Sequence, residues 1–143
     1  MENNQNINWY PGHMTKTKRR IEKDLKLVDA MKFASREAKR GHVYDGIILD
    51  PPAYGHGPDG EKWKLDECLF GMLHEVSRIL NPEKGFMVLN LYSNGYSAAL
   101  GETLAREAFG LKKGFTLQSG ELALNDRFGK ALPLSIYVRL TVS

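Results

Sequence analysis

Between residues 65 and 80 the apolar side chains Leu65, Leu69, Met72, Leu73, Val76, Ile79 and Leu80 recur at steps of three and four, and Asn81-Pro82 closes the run. That spacing collects them on one stripe of a helix, which the proline ends. Ile47-Ile48-Leu49 is a short β-branched run stopped by two prolines, which predicts a buried strand. Gly85 to Leu91 is apolar almost throughout, as a parallel strand covered on both faces should be. Ser97 is placed to cap a helix from Ala98 to Phe109, and Gly110 to close it. Phe115 to Leu124 reads as a strand. Leu134 to Val142 alternates Leu/Ile/Val/Leu/Val with Ser/Tyr/Arg/Thr, the pattern of a second strand with one buried face.

Upstream, His13 to Arg40 holds neither Gly nor Pro, and Gly41 supplies a stop. Met14, Ile21, Leu25 and Val28 fall near helical spacing. The stretch reads as one long helix, or as two segments broken near Leu27-Val28-Asp29-Ala30, which then forms a short strand. From residue 31 the order is helix, strand, helix, strand, helix, strand, strand. Alternating elements with two closing strands predict an α/β fold, its sheet mainly parallel with an antiparallel C-terminal edge and flanking helices.

Charge is uneven. Residues 1–41 hold 10 Lys/Arg against 5 Asp/Glu, and the remainder 10 against 12, so a front end of +5 precedes a body of −2. Such an arm attracts phosphate, although a solvated helix face has the same composition. Lys16, Lys18, Arg19 and Arg20, with Trp9 and Tyr10 just upstream, combine cations with aromatics as RNA-contacting arms do. The single cysteine, Cys68, excludes an internal disulfide and any multi-cysteine metal cluster. It lies in the same helix between core positions, where a structural thiol is expected. His13 and His56 lack acidic or cysteine partners at metal spacing, so no metal site is expected. No apolar run approaches the ~20 residues of a membrane span. The N-terminus lacks a basic start followed by an apolar stretch, so the expectation is a cytoplasmic protein with no membrane partner.

The chemistry concentrates at Asp50-Pro51-Pro52-Ala53-Tyr54. Each proline fixes its own φ and drives the residue before it away from helix, so a strand ending here builds a rigid lip. The lip holds a carboxylate and carbonyls outside the carboxyl edge of a sheet, where α/β folds bind ligands. Asp50 and the Pro51 carbonyl are suited to accept N–H bonds from a base, and Tyr54 to stack on its ring. A Pro-Pro turn that merely ends a strand is the plainer alternative. Gly55-His56-Gly57-Pro58-Asp59-Gly60 fits G-x-G-x-x-G literally, but the prolines intervene and Pro58 sits among the glycines, so a loop over the site is expected instead. Carbon methylation would require a cysteine nucleophile near the lip. None is present, which favours nitrogen chemistry.

Several segments in order carry a family resemblance: Tyr-Asp-Gly-Ile-Ile-Leu-Asp-Pro-Pro-Ala-Tyr-Gly (44–55), Trp63-Lys64-Leu65, Val-Leu-Asn-Leu-Tyr-Ser (88–93), Gly120-Glu121-Leu122-Ala123-Leu124 and Leu132-Pro133. Residues 29–143 resemble the C-terminal half of class I S-adenosylmethionine (SAM)-dependent methyltransferases of the ribosomal RNA large-subunit type. The resemblance implies a truncated Rossmann-like sheet, with Asp50, Pro51, Pro52 and Tyr54 as the target-base pocket. It also implies Asp29 and Ala30 as the segment that touches the cofactor adenine. Ala53, standing before the aromatic, departs from the strict four-residue amino-methyltransferase motif and leaves the target atom open. A second resemblance covers residues 7–30, where Ile-Asn-Trp-Tyr-Pro-Gly-His-Met-Thr-Lys and Asp-Leu-Lys-Leu-Val-Asp-Ala are similar to the N-terminus of circularly permuted ribosome-biogenesis GTPases.

The expected division is a disordered tail at 1–8, a basic helical segment at 9–30 and a partial methyltransferase domain at 31–143. The expected cofactor is SAM and the expected partner ribosomal RNA or the ribosome, with self-association through an open sheet edge. In the family a Gly-rich loop holds the cofactor's methionine end, whereas here Gly12 is the only glycine ahead of Gly41. That puts cofactor binding by this chain in question. Two functions follow: a base-nitrogen methyltransferase that is catalytically incomplete alone, or a non-catalytic RNA- or ribosome-binding remnant or fusion.

Overall fold

A computed structural model describes residues 30–56, 60, 62–93, 95–110 and 114–143. The first element is helix α1 (Ala30–Arg40), ended at Gly41, whose φ of 70° suits a residue without Cβ. Strand β1 (Gly46–Leu49) leads into the lip, followed by β2 (Tyr54–His56) and β3 (Lys62–Lys64). Helix α2 (Leu65–Ser77), strand β4 (Phe86–Leu91) and helix α3 (Ala98–Phe109) come next. The Ser97 hydroxyl accepts the Leu100 amide at the start of α3, and Gly110 ends it in the left-handed region, as the sequence predicts. Strands β5 (Phe115–Asn125) and β6 (Ala131–Val142) form a closing hairpin.

The main sheet has the order β1-β4-β6-β5. β1 and β4 are parallel, while β6 runs antiparallel to both β4 and β5. Three of the four strands therefore point one way, and the antiparallel hairpin forms one flank. The reversed strand lies inside that flank, with β5 outermost. β2 and β3 form a separate antiparallel pair, so the stretch 55–60 expected as a plain loop over the site begins in strand, at Gly55 and His56.

The core lies on one side of the sheet. Leu65, Leu69, Leu73 and Val76 of α2, with Ala105, Ala108 and Phe109 of α3, pack on Met87, Leu89, Leu91, Ile136, Val138 and Leu140. Because α2 and α3 both choose this face, the described residues do not cover the strands on both sides as expected. β4 alternates buried and accessible residues, and Ile48 on β1 is 75% exposed. The outer half of the hairpin, with Leu124 and Leu132, is likewise exposed. No helix among the described residues is long and apolar enough to cross a membrane. The tail at 1–8 and all of the basic segment 9–30 except Ala30 lie outside the described residues.

Candidate active site

Parallel pairing of β1 with β4 runs Gly46–Leu49 against Phe86–Leu89, so the next residue on each strand is Asp50 beside Asn90. Asn90 Nδ2 donates to Asp50 Oδ1 at 2.7 Å, which fixes the carboxylate at the carboxyl end of both strands. Across the lip, Trp63 Nε1 donates to the Pro52 carbonyl at 2.7 Å, and the Leu65 amide to the Ala53 carbonyl at 2.9 Å. The lip is thus anchored at one end by β4 and at the other by the β3–α2 junction. Pro51 is buried and Pro52 exposed.

A cleft of about 360 Å³ opens beside it, bounded by Ala30 and Met31 of α1, the lip residues Asp50–Pro52, and Trp63. The sequence-predicted residues Asp50, Pro51, Pro52 and Ala30 therefore meet at one place. Tyr54 does not join them: it is 69% exposed, pairs with Lys64 on β3 and does not line the cleft. The aromatic that reaches the cleft is Trp63, paired instead with Gly55, together with the imidazole of His56. Asp29, Lys16, Lys18, Arg19 and Arg20 lie outside the described residues.

Among the described residues, Asn90 Oδ1 and Ser93 Oγ are buried with no hydrogen-bond partner. An unpaired buried acceptor costs about 1–3 kcal/mol, and Asn90 carries one beside the amide nitrogen that holds Asp50. The cleft's apolar walls and planar Trp63, with a polar rim at Asp50, suit a purine or pyrimidine ring. They fit the nucleoside part of SAM or a base.

Behind the cleft, α1 is locked to the entry of β1 through Glu37, which is 5% exposed. Its carboxylate accepts the Tyr44 hydroxyl at 2.8 Å and Arg40 Nη1 at 3.1 Å, with His42 Nδ1 also 2.8 Å away. The His42 and Tyr44 hydrogen bonds, aided by Arg40, hold the carboxyl down at about 2, while Tyr44 is pushed up by the same carboxylate. Sequence reasoning did not anticipate the contacts made by Glu37, Trp63 and Asn90. The last two lay inside segments already singled out, and their roles required the strand register.

Several solved structures resemble this fold. A SAM-dependent methyltransferase from Agrobacterium tumefaciens matches with TM-score 0.73 and 37% identity over 79% of this chain and 38% of that one. The fold is class I methyltransferase-like. SMU.776, named as a methyltransferase and solved with SAH, matches at TM-score 0.65 and 16% identity, over 90% of this chain and 37% of its own. A structure titled as a SAM-dependent methyltransferase from Streptococcus mutans gives 0.61 and 15%, over 90% and 36%. This chain thus spans under two-fifths of the length of each. No protein-family model matches the chain, and no curated protein matches it.

Proposed function

We propose that the chain belongs to a SAM-dependent methyltransferase acting on a base nitrogen of ribosomal RNA, and that alone it is catalytically incomplete. The observation that carries this is Asp50, held by Asn90 at the carboxyl end of two parallel strands and facing a nucleoside-sized cleft. The likeness to the Agrobacterium tumefaciens methyltransferase supports it. Bound SAM would supply an electrophilic methyl group. Ala30, with Asp29 before it, would meet the adenine. Asp50 and the Pro51 carbonyl would accept N–H bonds from the target amine, turning its lone pair toward the methyl donor. Tyr54, at the exposed rim, is left for contact with the flanking strand. A cytoplasmic location fits a ribosomal substrate.

No Gly-rich loop precedes Asp29 in this sequence. Without it the methionine end lacks its holder, and every ~1.4 kcal/mol lost weakens binding tenfold. Titration calorimetry of this chain with SAM should therefore give a dissociation constant weaker than about 100 µM. A low-micromolar constant would refute incompleteness. Failure of S-adenosylhomocysteine to shift the NMR resonances of Ala30, Asp50 or Trp63 at about 10 mM would refute the site itself.

The basic segment favours a second reading, an RNA- or ribosome-binding protein without catalysis. Binding to a ribosomal RNA fragment that persists in the variant Asp50→Ala, with no cofactor-induced shifts, would select it.

A further inference from the structure

Two prolines in succession leave this lip with little undecided geometry. Pro51 and Pro52 each have φ locked near −65°. The ψ of Asp50 and of Pro51 is also restricted, because each precedes a proline and is driven to the extended region. Pro52 precedes Ala53, so its ψ, which sets where its carbonyl points, is the one torsion of the two prolines left unrestricted. Trp63 settles it, donating its indole N–H to the Pro52 oxygen at 2.7 Å. The donor is itself well seated. Trp63 packs against the hydrophobic core and lines the cleft, and it pairs with Gly55 across β2–β3. At Gly55 an added Cβ would lie 3.6 Å from Trp63 Cβ and 3.8 Å from Pro52 Cγ, so the indole, the proline ring and the β2 backbone form one layer. At the opposite end, Asn90 fixes the Asp50 carboxylate.

We propose that Trp63 is the positioning residue of the lip: its N–H turns the Pro52 carbonyl away from ligand, leaving Asp50 and Pro51 to select an exocyclic amino group on a nucleobase. This rests on the methyltransferase reading of the same cleft. It also assigns the aromatic role to a residue nine positions beyond Tyr54, which does not line the cleft.

The test compares adenosine and cytidine with their deamino counterparts by protein-detected NMR titration of the full chain. The wild type should prefer the amino nucleoside by about two- to tenfold, the range of a hydrogen bond's net worth. Trp63→Phe keeps a ring and removes the donor; the freed Pro52 carbonyl can then accept the ring N–H that the deaminated nucleosides inosine and uridine carry, which should bring that preference close to one while weak ring binding remains. Tyr54→Phe should leave it unchanged. A purely structural role would lower the melting temperature of Trp63→Phe and keep the selectivity ratio, which overturns the proposal. Should Trp63→Phe fold poorly, 3-benzothienylalanine at position 63 retains the outline of the indole and removes only the N–H. Full selectivity with that residue also overturns it. Wild-type binding without any amino preference overturns the proposal and spares the nucleoside cleft. Absence of nucleoside binding to the wild type overturns both.

Discussion

Gly101 sits inside α3 at the contact with the sheet, and two opposing effects decide what Gly101→Ala does. Replacing glycine within a helix gains about 1 kcal/mol of helix propensity. Against this, a Cβ at Gly101 would stand 2.9 Å from Ile136 Cδ1 and 3.0 Å from Val138 Cγ2. Carbon atoms pack comfortably at about 3.5–4.0 Å, so the neighbours must give by more than half an ångström. Ile136 can rotate its terminal methyl, but Val138 is stiff at χ1 and fully buried. Overpacking of this kind costs about 1–3 kcal/mol. The steric cost wins, with a net loss near 1 kcal/mol and a fall in melting temperature of about 3–6 °C for a chain of this size. The internal control is Gly71→Ala on the exposed side of α2, where a Cβ meets only Met31 Cε at 3.7 Å. Propensity acts there unopposed, and stability should rise by about 1 kcal/mol. Adding Ile136→Val to Gly101→Ala should cost less than the two single changes summed. Thermal and urea melts followed by circular dichroism measure the four variants beside the wild type. A more stable Gly101→Ala, or strict additivity in the double variant, would refute the close seating of α3 on β6.

Glu37 is held at about 2 against an ordinary 4.5, so the unfolded chain takes up its proton first on acidification. The stability it contributes is complete above 4.5 and disappears as pH falls toward about 2; melting temperatures of Glu37→Gln should fall less steeply across that window than wild type. Asn90→Ala removes an unpaired buried oxygen and also the donor to Asp50, so its melting temperature should stay close to wild type while nucleoside affinity drops about two- to tenfold in NMR titrations. Changing Lys16, Lys18, Arg19 and Arg20 together to Ala should flatten the salt dependence of ribosomal RNA binding by about 0.7–0.9 log units per lost phosphate contact, read by filter binding. Identical slopes would remove that segment from RNA recognition.

Periodic segments were readable because their burial pattern follows from one face. The Leu65–Val76 stripe, the Ser97 cap and the Gly110 stop all depend on neighbours within a turn or two. What escaped depends on partners far along the chain. Ile48 is as apolar as its neighbours in β1, and only the placement of α2 and α3 on one side leaves it exposed. The short β2–β3 pair looked like loop because three residues of strand flanking a glycine-rich turn carry no periodic signal. At the site, Asp50 and the prolines declared themselves by local backbone chemistry. Asn90 and Trp63 did not, since 40 and 11 residues separate them from the atoms they hold. Tyr54 was conspicuous because it stands next to the prolines, whereas Trp63 reaches the cleft through its pairing with Gly55 across β2–β3.

The position of β6 between β4 and β5 bears on how the molecule folds. Until residues 131–142 arrive, β4 has a partner on one edge only and β5 has none, although both precede β6 in the chain. The early segments can collapse around α2, but the sheet cannot close stepwise. Its middle row of hydrogen bonds pairs Phe86 with Thr141 and Leu91 with Ile136, closing loops of more than forty residues. Such non-local closure is slow, and meanwhile it leaves an apolar strand edge open to other chains. Aggregation during refolding should therefore track the delay before β6 inserts, and a chaperone that shields β4 in that interval would raise yield without altering the folded state.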